Sequence, residues 1–252
     1  MNTNYWMAFY GEEIALEPKI NGTFQIPQGE NPFTTEGKWL QVNHNSEQGH
    51  VARFEKKIEL KDNWQWIGLR ESFKVLPFAL YELAAKAIQI LHWDKNSRFC
   101  PACGTPTQLV NPICKKCPNC GNELYPPIHP AVIVRIHKDD KILMVRAHNF
   151  KYKFRGLVAG FVEPGESIEE AVYREVKEET NLSIKNLRYF SSQSWPHPSG
   201  LMLGFTADYE SGEIKLQEEE LAAADFFDRE HLPLLPDKTS ISRKLIDDWI
   251  NN

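Results

Sequence analysis

The segment from Gly160 to Leu182, GFVEPGESIEEAVYREVKEETNL, constrains this chain more than any other, because it encodes a helix that turns acid toward its own buried face. Ser167 followed by Glu170 forms a capping box, so the spacing predicts a helix from about Ile168 to about Glu179. At ~100° per residue, Ile168, Ala171, Val172 and Val176 make one apolar stripe. Glu175 and Glu179 fall inside that stripe and Glu178 on its flank, while Glu169, Glu170, Tyr173, Arg174 and Lys177 are expected to face water. Runs of charge are usually solvated faces, but here the angular positions argue the other way. Carboxylates at i, i+3 and i+4 lie within reach of one another, and buried like charges repel unless a cation sits between them. A hard divalent cation, Mg²⁺ or Mn²⁺, suits oxygen ligands of this kind. Asn181 falls at the residue after the helix, where a left-handed backbone is wanted and asparagine substitutes for glycine.

All five cysteines lie between positions 100 and 120, a clustering that suits a metal site better than a disulfide framework. Cys100 to Gly104 and Cys117 to Gly121 repeat Cys-Pro-any-Cys-Gly, which reads as two knuckles. Cys100, Cys103, Cys117 and Cys120 then offer four thiolates to tetrahedral Zn²⁺ with no open position, a structural rather than catalytic arrangement. A competing assignment takes Cys114 and Cys117 as the second pair, but it forfeits the repeated glycine. On the first assignment Cys114 is a spare thiol.

The net charge of −5 speaks against a dominant nucleic-acid groove, though not against a local one. The opening residues lack a basic stretch followed by an apolar one, and no later run is apolar enough to span a bilayer, so a cytoplasmic protein with no membrane partner is expected.

Residues 1 to about 70 show short strand-like runs: Phe24 to Pro27, Lys38 to Val42, Val51 to Leu60 and Trp64 to Leu69, with turns at Asn21-Gly22 and Asp62-Asn63. His44 and His50 read as exposed loop histidines. Arg70 is positioned either to steady a substrate phosphate or to cap a strand. From Pro77 a helix is expected to end near Trp93. After the cysteines, residues 131–137 and 141–147 read as a hairpin around Lys138, Asp139 and Asp140, and residues 157–162 deliver the chain to the acidic helix. Further strands follow, then a last helix from about Thr239 to Ile250, which together imply a mixed sheet between helices. The loop SQSWPHPSG, Ser192 to Gly200, is stiffened by two prolines and suits a prearranged binding wall.

Gly160, Glu166, Arg174, Glu175, Val176, Glu178, Glu179 and Leu182 stand in the register of a Nudix box, with Asn181 the one departure, in place of glycine. With the zinc ribbon before it and the tryptophan loop after it, the chain resembles the NADH pyrophosphatase branch of the Nudix superfamily over nearly its whole length. The resemblance implies an α+β protein: an α-β-α Nudix sandwich with a mixed sheet, preceded by a zinc ribbon and a β-rich N-terminal domain. The boundaries expected are 1–96, 97–125 and 126–252.

It also implies an NAD(H) diphosphatase that splits NADH or NAD⁺ into a nicotinamide mononucleotide and AMP. Mg²⁺ or Mn²⁺ would be held by Glu175, Glu179 and the Ala159 carbonyl, supported by Glu178, with Glu220 as a further ligand or base. The nicotinamide would stack between Phe161 and Tyr125, the latter supplied by a homodimer partner. Gln193, Ser194, Trp195, Pro196, His197, Pro198, Ser199 and Gly200 would line the substrate, with Arg70 and Ser242 as lesser contacts. In this loop the family pattern SQPWPFPxS is altered by Ser194, His197 and Gly200, which bears on the choice of dinucleotide. Removal of an NAD cap from RNA keeps the same chemistry, and a broad-specificity hydrolase is a further alternative. A nucleotide-sensing, non-catalytic domain is disfavoured by the intact Glu175, Glu178 and Glu179.

Overall fold

The computed structural model describes residues 4–20, 22–33, 37–61, 63–148 and 153–252. Asn21 and Asp62, each half of an expected turn, lie outside the described residues; their neighbours Gly22 and Asn63 both adopt positive φ, at 78° and 66°. The chain divides into two compact units, one of Met1–Pro127 with the loop tip Pro196–Ser199, the other of Ile128–Trp195 with Gly200–Asn252.

The first unit begins with β1 (Asn4–Tyr10), β2 (Glu13–Pro18), β3 (Phe24–Gln25), β4 (Leu40–His44), β5 (Glu47–Arg53) and β6 (Gln65–Gly68), followed by α1 (Leu69–Ser72) and α2 (Phe78–Asn96). These strands form one sheet in the order β3-β2-β1-β5-β4, with β6 added to β2 and β1 parallel to β5. Met7, Phe9, Ile14 and Leu16 pack against Leu80, Leu83, Ala84 and Ala87 of α2. On the other face Ala8, Ala15 and Ala52 are covered by Phe33 and Phe54. Strands β1 and β2 were not among the expected runs. Because both faces of the sheet are covered, Met7, Ala8 and Phe9 are buried in succession, and the alternation that marks a one-sided strand is missing. His50 is likewise not in a loop: it lies in β5 with its ring stacked on Trp6, centroids 4.4 Å apart. Leu60 falls outside β5, and Pro77 is the cap of α2 rather than its first residue.

The ribbon contains β7 (Gln108–Asn111), β8 (Cys114–Lys116) and β9 (Glu123–Leu124). Its two knuckles repeat the same hydrogen bonds: Gly104 N donates to Cys100 O and Gly121 N to Cys117 O, with both glycines at positive φ. Lys115, 3% exposed, ties β8 to the end of α2 through Asp94, with its ammonium 2.7 Å from Asp94 Oδ1 and over the Trp93 ring.

In the second unit β10 (His129–Lys138), β11 (Lys141–Ala147), β12 (Val158–Phe161), α3 (Ile168–Thr180), β13 (Ser183–Trp195), β14 (Gly200–Ser211), β15 (Leu221–Phe227) and α4 (Ile241–Asn251) follow in order. The sheet runs β13-β14-β10-β11-β15, with β12 paired to β10 and only β10 with β14 parallel. Val132, Val134 and Ile136 point toward Ala171, Val172 and Val176 of α3, while Ile133 and Met144 meet Ile241, Leu245 and Trp249 of α4. This period-two division of one strand between two helices makes the α-β-α layers expected from the sequence.

Candidate active site

Helix α3 starts at the expected residue. Ser167 accepts from Glu170 N, the Glu170 carboxylate returns to Ser167 N, and Asn181 closes the helix at φ 61°. Its buried face includes Glu175 at 9% exposure and Glu179 at 4%, whereas Glu178 lies on the solvent side. Beneath it β12 brings Ala159 and Gly160, and a Cβ on Gly160 would sit 2.0 Å from the Glu175 carboxyl. Glycine is therefore required by close approach, not by an unusual backbone angle.

Arg174 departs from its expected place in the water-facing row. It donates to Glu166 Oε1 at 2.5 Å and Oε2 at 3.0 Å, to Glu175 Oε1 at 2.9 Å, to Glu178 Oε2 at 3.0 Å and to the Phe161 carbonyl at 2.9 Å. A flexible three-carbon stem lets a guanidinium at the edge of a helix turn back onto the acid row, which helical angle alone does not foresee. Glu166 beside it is held below the usual carboxylate range, and Arg174 itself grips its proton more firmly, chiefly through Glu166. The sequence signal was the acidic residue just before the helix cap, two turns from an arginine.

Among the described residues Glu179 has no such partner. Burial first, then the charges of Glu175, Glu220 and Glu178, push its carboxyl up to about 8. Its Oε2 is buried and accepts from no donor among the described residues. Burial also raises Glu175, against the opposing pull of Arg174. Glu220 is brought to this group from the turn before β15: Gln217 N donates to Glu179 O, Glu220 N to Gln217 O, and His148 N to Glu220 O. An acidic group with one orphaned oxygen has the donor chemistry to hold a hard cation and to accept a proton near neutral pH.

The remaining expected contacts belong to several elements. Phe161 is 64% exposed at the end of β12, and Tyr125, 56% exposed, belongs to the other compact unit with its hydroxyl on Glu123. Arg70 lies in α1. In the loop, Ser194 and Pro198 are exposed, Trp195 and Gly200 half-buried, and Pro196 and Ser199 buried. The His197 ring lies 3.8 Å from Glu12, with its basicity lowered by burial. Gln193 does not present a free amide: Nε2 donates to Thr239 O at 2.7 Å and Oε1 accepts from Ile241 N at 2.6 Å. Ser242 is 9% exposed, and its hydroxyl has no partner among the described residues.

In the ribbon, Cys100, Cys103, Cys117 and Cys120 hold their Sγ atoms within 4.8 Å of one another, and Cys114 is not in the group. Separations of 3.6 Å for Cys100–Cys120, 3.4 Å for Cys103–Cys117 and 3.6 Å for Cys103–Cys120 approach the edge of about 3.8 Å that a tetrahedron of ~2.3 Å Zn–S bonds requires. The geometry therefore favours the repeated-glycine pairing over the one that uses Cys114. Among the described residues no helix is long and apolar enough to cross a membrane.

Three family descriptions match successive parts of the chain: an "NADH pyrophosphatase-like rudimentary NUDIX domain" over residues 3–93, an "NADH pyrophosphatase zinc ribbon domain" over 95–125 and a "NUDIX domain" over 127–249. A Chromobacterium violaceum protein named NAD-capped RNA hydrolase NudC is 42% identical over 72% of this chain and 69% of its own length. A protein of the same name from Photorhabdus laumondii is 36% identical over 89% of this chain and 88% of its own length. Among solved structures, a NUDIX hydrolase from Nitrosomonas europaea aligns with a TM-score of 0.53 at 21% identity, covering 61% of this chain and 90% of that one, a likeness of fold alone. The long co-linear match and the acidic helix that it contains agree: the chain belongs to the Nudix hydrolase family, in its NADH pyrophosphatase branch.

Proposed function

We propose that this enzyme hydrolyses the pyrophosphate bond of NADH and NAD⁺, releasing a nicotinamide mononucleotide and AMP. The observation that carries the reading is the acid group on α3, with Glu179 buried and one of its oxygens without a partner. Glu175, Glu179 and Glu220, with Glu178 and the Ala159 carbonyl beside them, are the ligands that fit Mg²⁺ or Mn²⁺. When bound, such a cation neutralises phosphate oxygens and makes water more acidic. Arg174 keeps Glu175 and Glu178 oriented and joins them to the Phe161 backbone. Glu179 or Glu220 accepts the proton of the attacking water. Phe161 stacks on the nicotinamide, with Tyr125 of a homodimer partner on its other side. The loop from Ser194 to Gly200 lines the dinucleotide, Arg70 steadies a phosphate, and Ser242 offers an open hydroxyl.

Work divides among residues 1–96, 97–125 and 126–252, with Zn²⁺ on Cys100, Cys103, Cys117 and Cys120 holding the middle segment together in a reducing cytoplasm. The names of the relatives favour a second substrate, RNA whose 5′ end carries NAD, because it presents the same pyrophosphate. Purified protein incubated with NADH and Mg²⁺ or Mn²⁺ should yield AMP and reduced nicotinamide mononucleotide on chromatography. Intact NADH after prolonged incubation with either ion would overturn the reading. Comparing turnover of free NADH with that of NAD-capped RNA then ranks the two substrates.

A further inference from the structure

The Gln193 carboxamide is consumed inside the protein. It bridges β13 to the start of α4 across 46 and 48 residues of sequence, donating to Thr239 O and accepting from Ile241 N on either side of the cap residue Ser240. The cap serves an amide two residues further on, since Ser240 Oγ accepts from Arg243 N. A second feature brings the same turn close to the sheet. Gly204 of β14 leaves room for Ile241, whose Cδ1 would lie 2.8 Å from a Cβ at that position. Immediately after Ile241 comes Ser242, whose buried hydroxyl has no partner among the described residues. A buried hydroxyl without a partner costs free energy, so a ligand group is its natural complement.

We propose that Gln193 is a positioning residue rather than a substrate contact: it locks the first turn of α4 onto β13 and so fixes the Ser242 hydroxyl for a polar group of the dinucleotide. The inference rests on the proposed reading of Ser242 as a substrate contact and goes beyond it in giving Gln193 an indirect role. Both hydrogen bonds of the carboxamide are needed, because an amide that both donates and accepts fixes rotation of the helix end as well as its distance.

The test is a double-mutant cycle on NADH hydrolysis with Gln193→Met, which keeps length and removes both hydrogen bonds, and Ser242→Ala. Gln193→Met is expected to raise KM about tenfold with kcat changed less than threefold, and to speed hydrogen exchange at the Ile241 amide. In the Ser242→Ala background the same change should move KM less than twofold. Effects that multiply in full would make Gln193 a direct contact and overturn the proposal, as would unchanged exchange at Ile241. If Gln193→Met does not fold, Gln193→Asn, too short to span both groups, replaces it in the cycle, and full multiplication or unchanged exchange overturns the proposal in the same way. Absence of NADH cleavage by the unmutated enzyme would count against the proposed substrate, while the exchange measurement still reports on the lock.

Discussion

Both units set a helix against a mixed sheet, yet the two helices carry opposite chemistry. Helix α2 buries Leu80, Leu83, Ala84, Ala87, Ile88 and Leu91, an apolar face that stabilises by removing hydrocarbon from water. Helix α3 buries Ala171, Val172 and Val176 too, but places Glu175 and Glu179 among them. A buried carboxylate opposes folding unless it is neutralised, paired or bound to a cation. Arg174 supplies that compensation for Glu175; Glu179 is left with a proton affinity far above that of an exposed acid. Helix α2 thus shows burial that only stabilises, and α3 shows burial that carries uncompensated acid.

The sharpest way to break this contrast is Glu179→Gln. Removing the carboxylate while keeping its shape is expected to lower kcat by roughly 10²–10⁴-fold with the thermal transition of the metal-free protein retained or raised. Near-normal turnover would remove Glu179 from the chemistry. The converse change, Leu83→Glu, puts an acid among the apolar side chains on the fully buried face of α2. It should destabilise the protein by about 3–5 kcal/mol, read by denaturant unfolding. A loss under about 1 kcal/mol would mean that α2 tolerates charge as α3 does, and the contrast would fail.

Gly160→Ala tests the close approach beneath α3. Its Cβ would displace the Glu175 carboxyl, and a shift of that kind is expected to reduce kcat about a hundredfold while circular dichroism stays unchanged. The smallest effect is a pH dependence. The folded-state value of Glu179 is raised, from the ordinary 4.5 to about 8. In the metal-free protein its contribution to stability is therefore fully present below about pH 4.5 and lost as pH rises through about 8. If Glu179 holds the proposed cation, protons compete for the same carboxylate, and Mg²⁺ affinity should climb by up to about tenfold per pH unit between pH 6 and 8, with proton release seen by calorimetry in two buffers. Affinity that stays flat across this range would show Glu179 to be outside the cation site.

Local signals in the sequence were informative wherever the structure depends on near neighbours. The capping box of Ser167 and Glu170, the left-handed Asn181 and the paired Cys-Pro-any-Cys-Gly turns each need only a few consecutive residues, and each is found as read. The strands of the first unit were harder. With both faces covered, β1 loses its alternation, and β5, reading EQGHVAR, carries little strand propensity, so no local signal places His50 in a strand stacked on Trp6. The inward-facing acids of α3 are legible by helical angle, but the destination of Arg174 is not, because angle places a Cβ and says little about the end of a long side chain.

The acidic helix, the four-thiolate ribbon and the order of parts are legible in the sequence, since periodicity, caps and spacing are written within a few turns of chain. Tertiary structure is what turns Arg174 onto Glu166, Glu175 and Glu178, what carries the Glu220 turn to the end of α3, and what engages the Gln193 amide at the start of α4. The last two, and the pairing of β12 beneath α3 that brings the Phe161 carbonyl to Arg174, join segments well apart in sequence through strand pairing and close packing; the reach of Arg174 itself is set by a rotamer that no local period encodes.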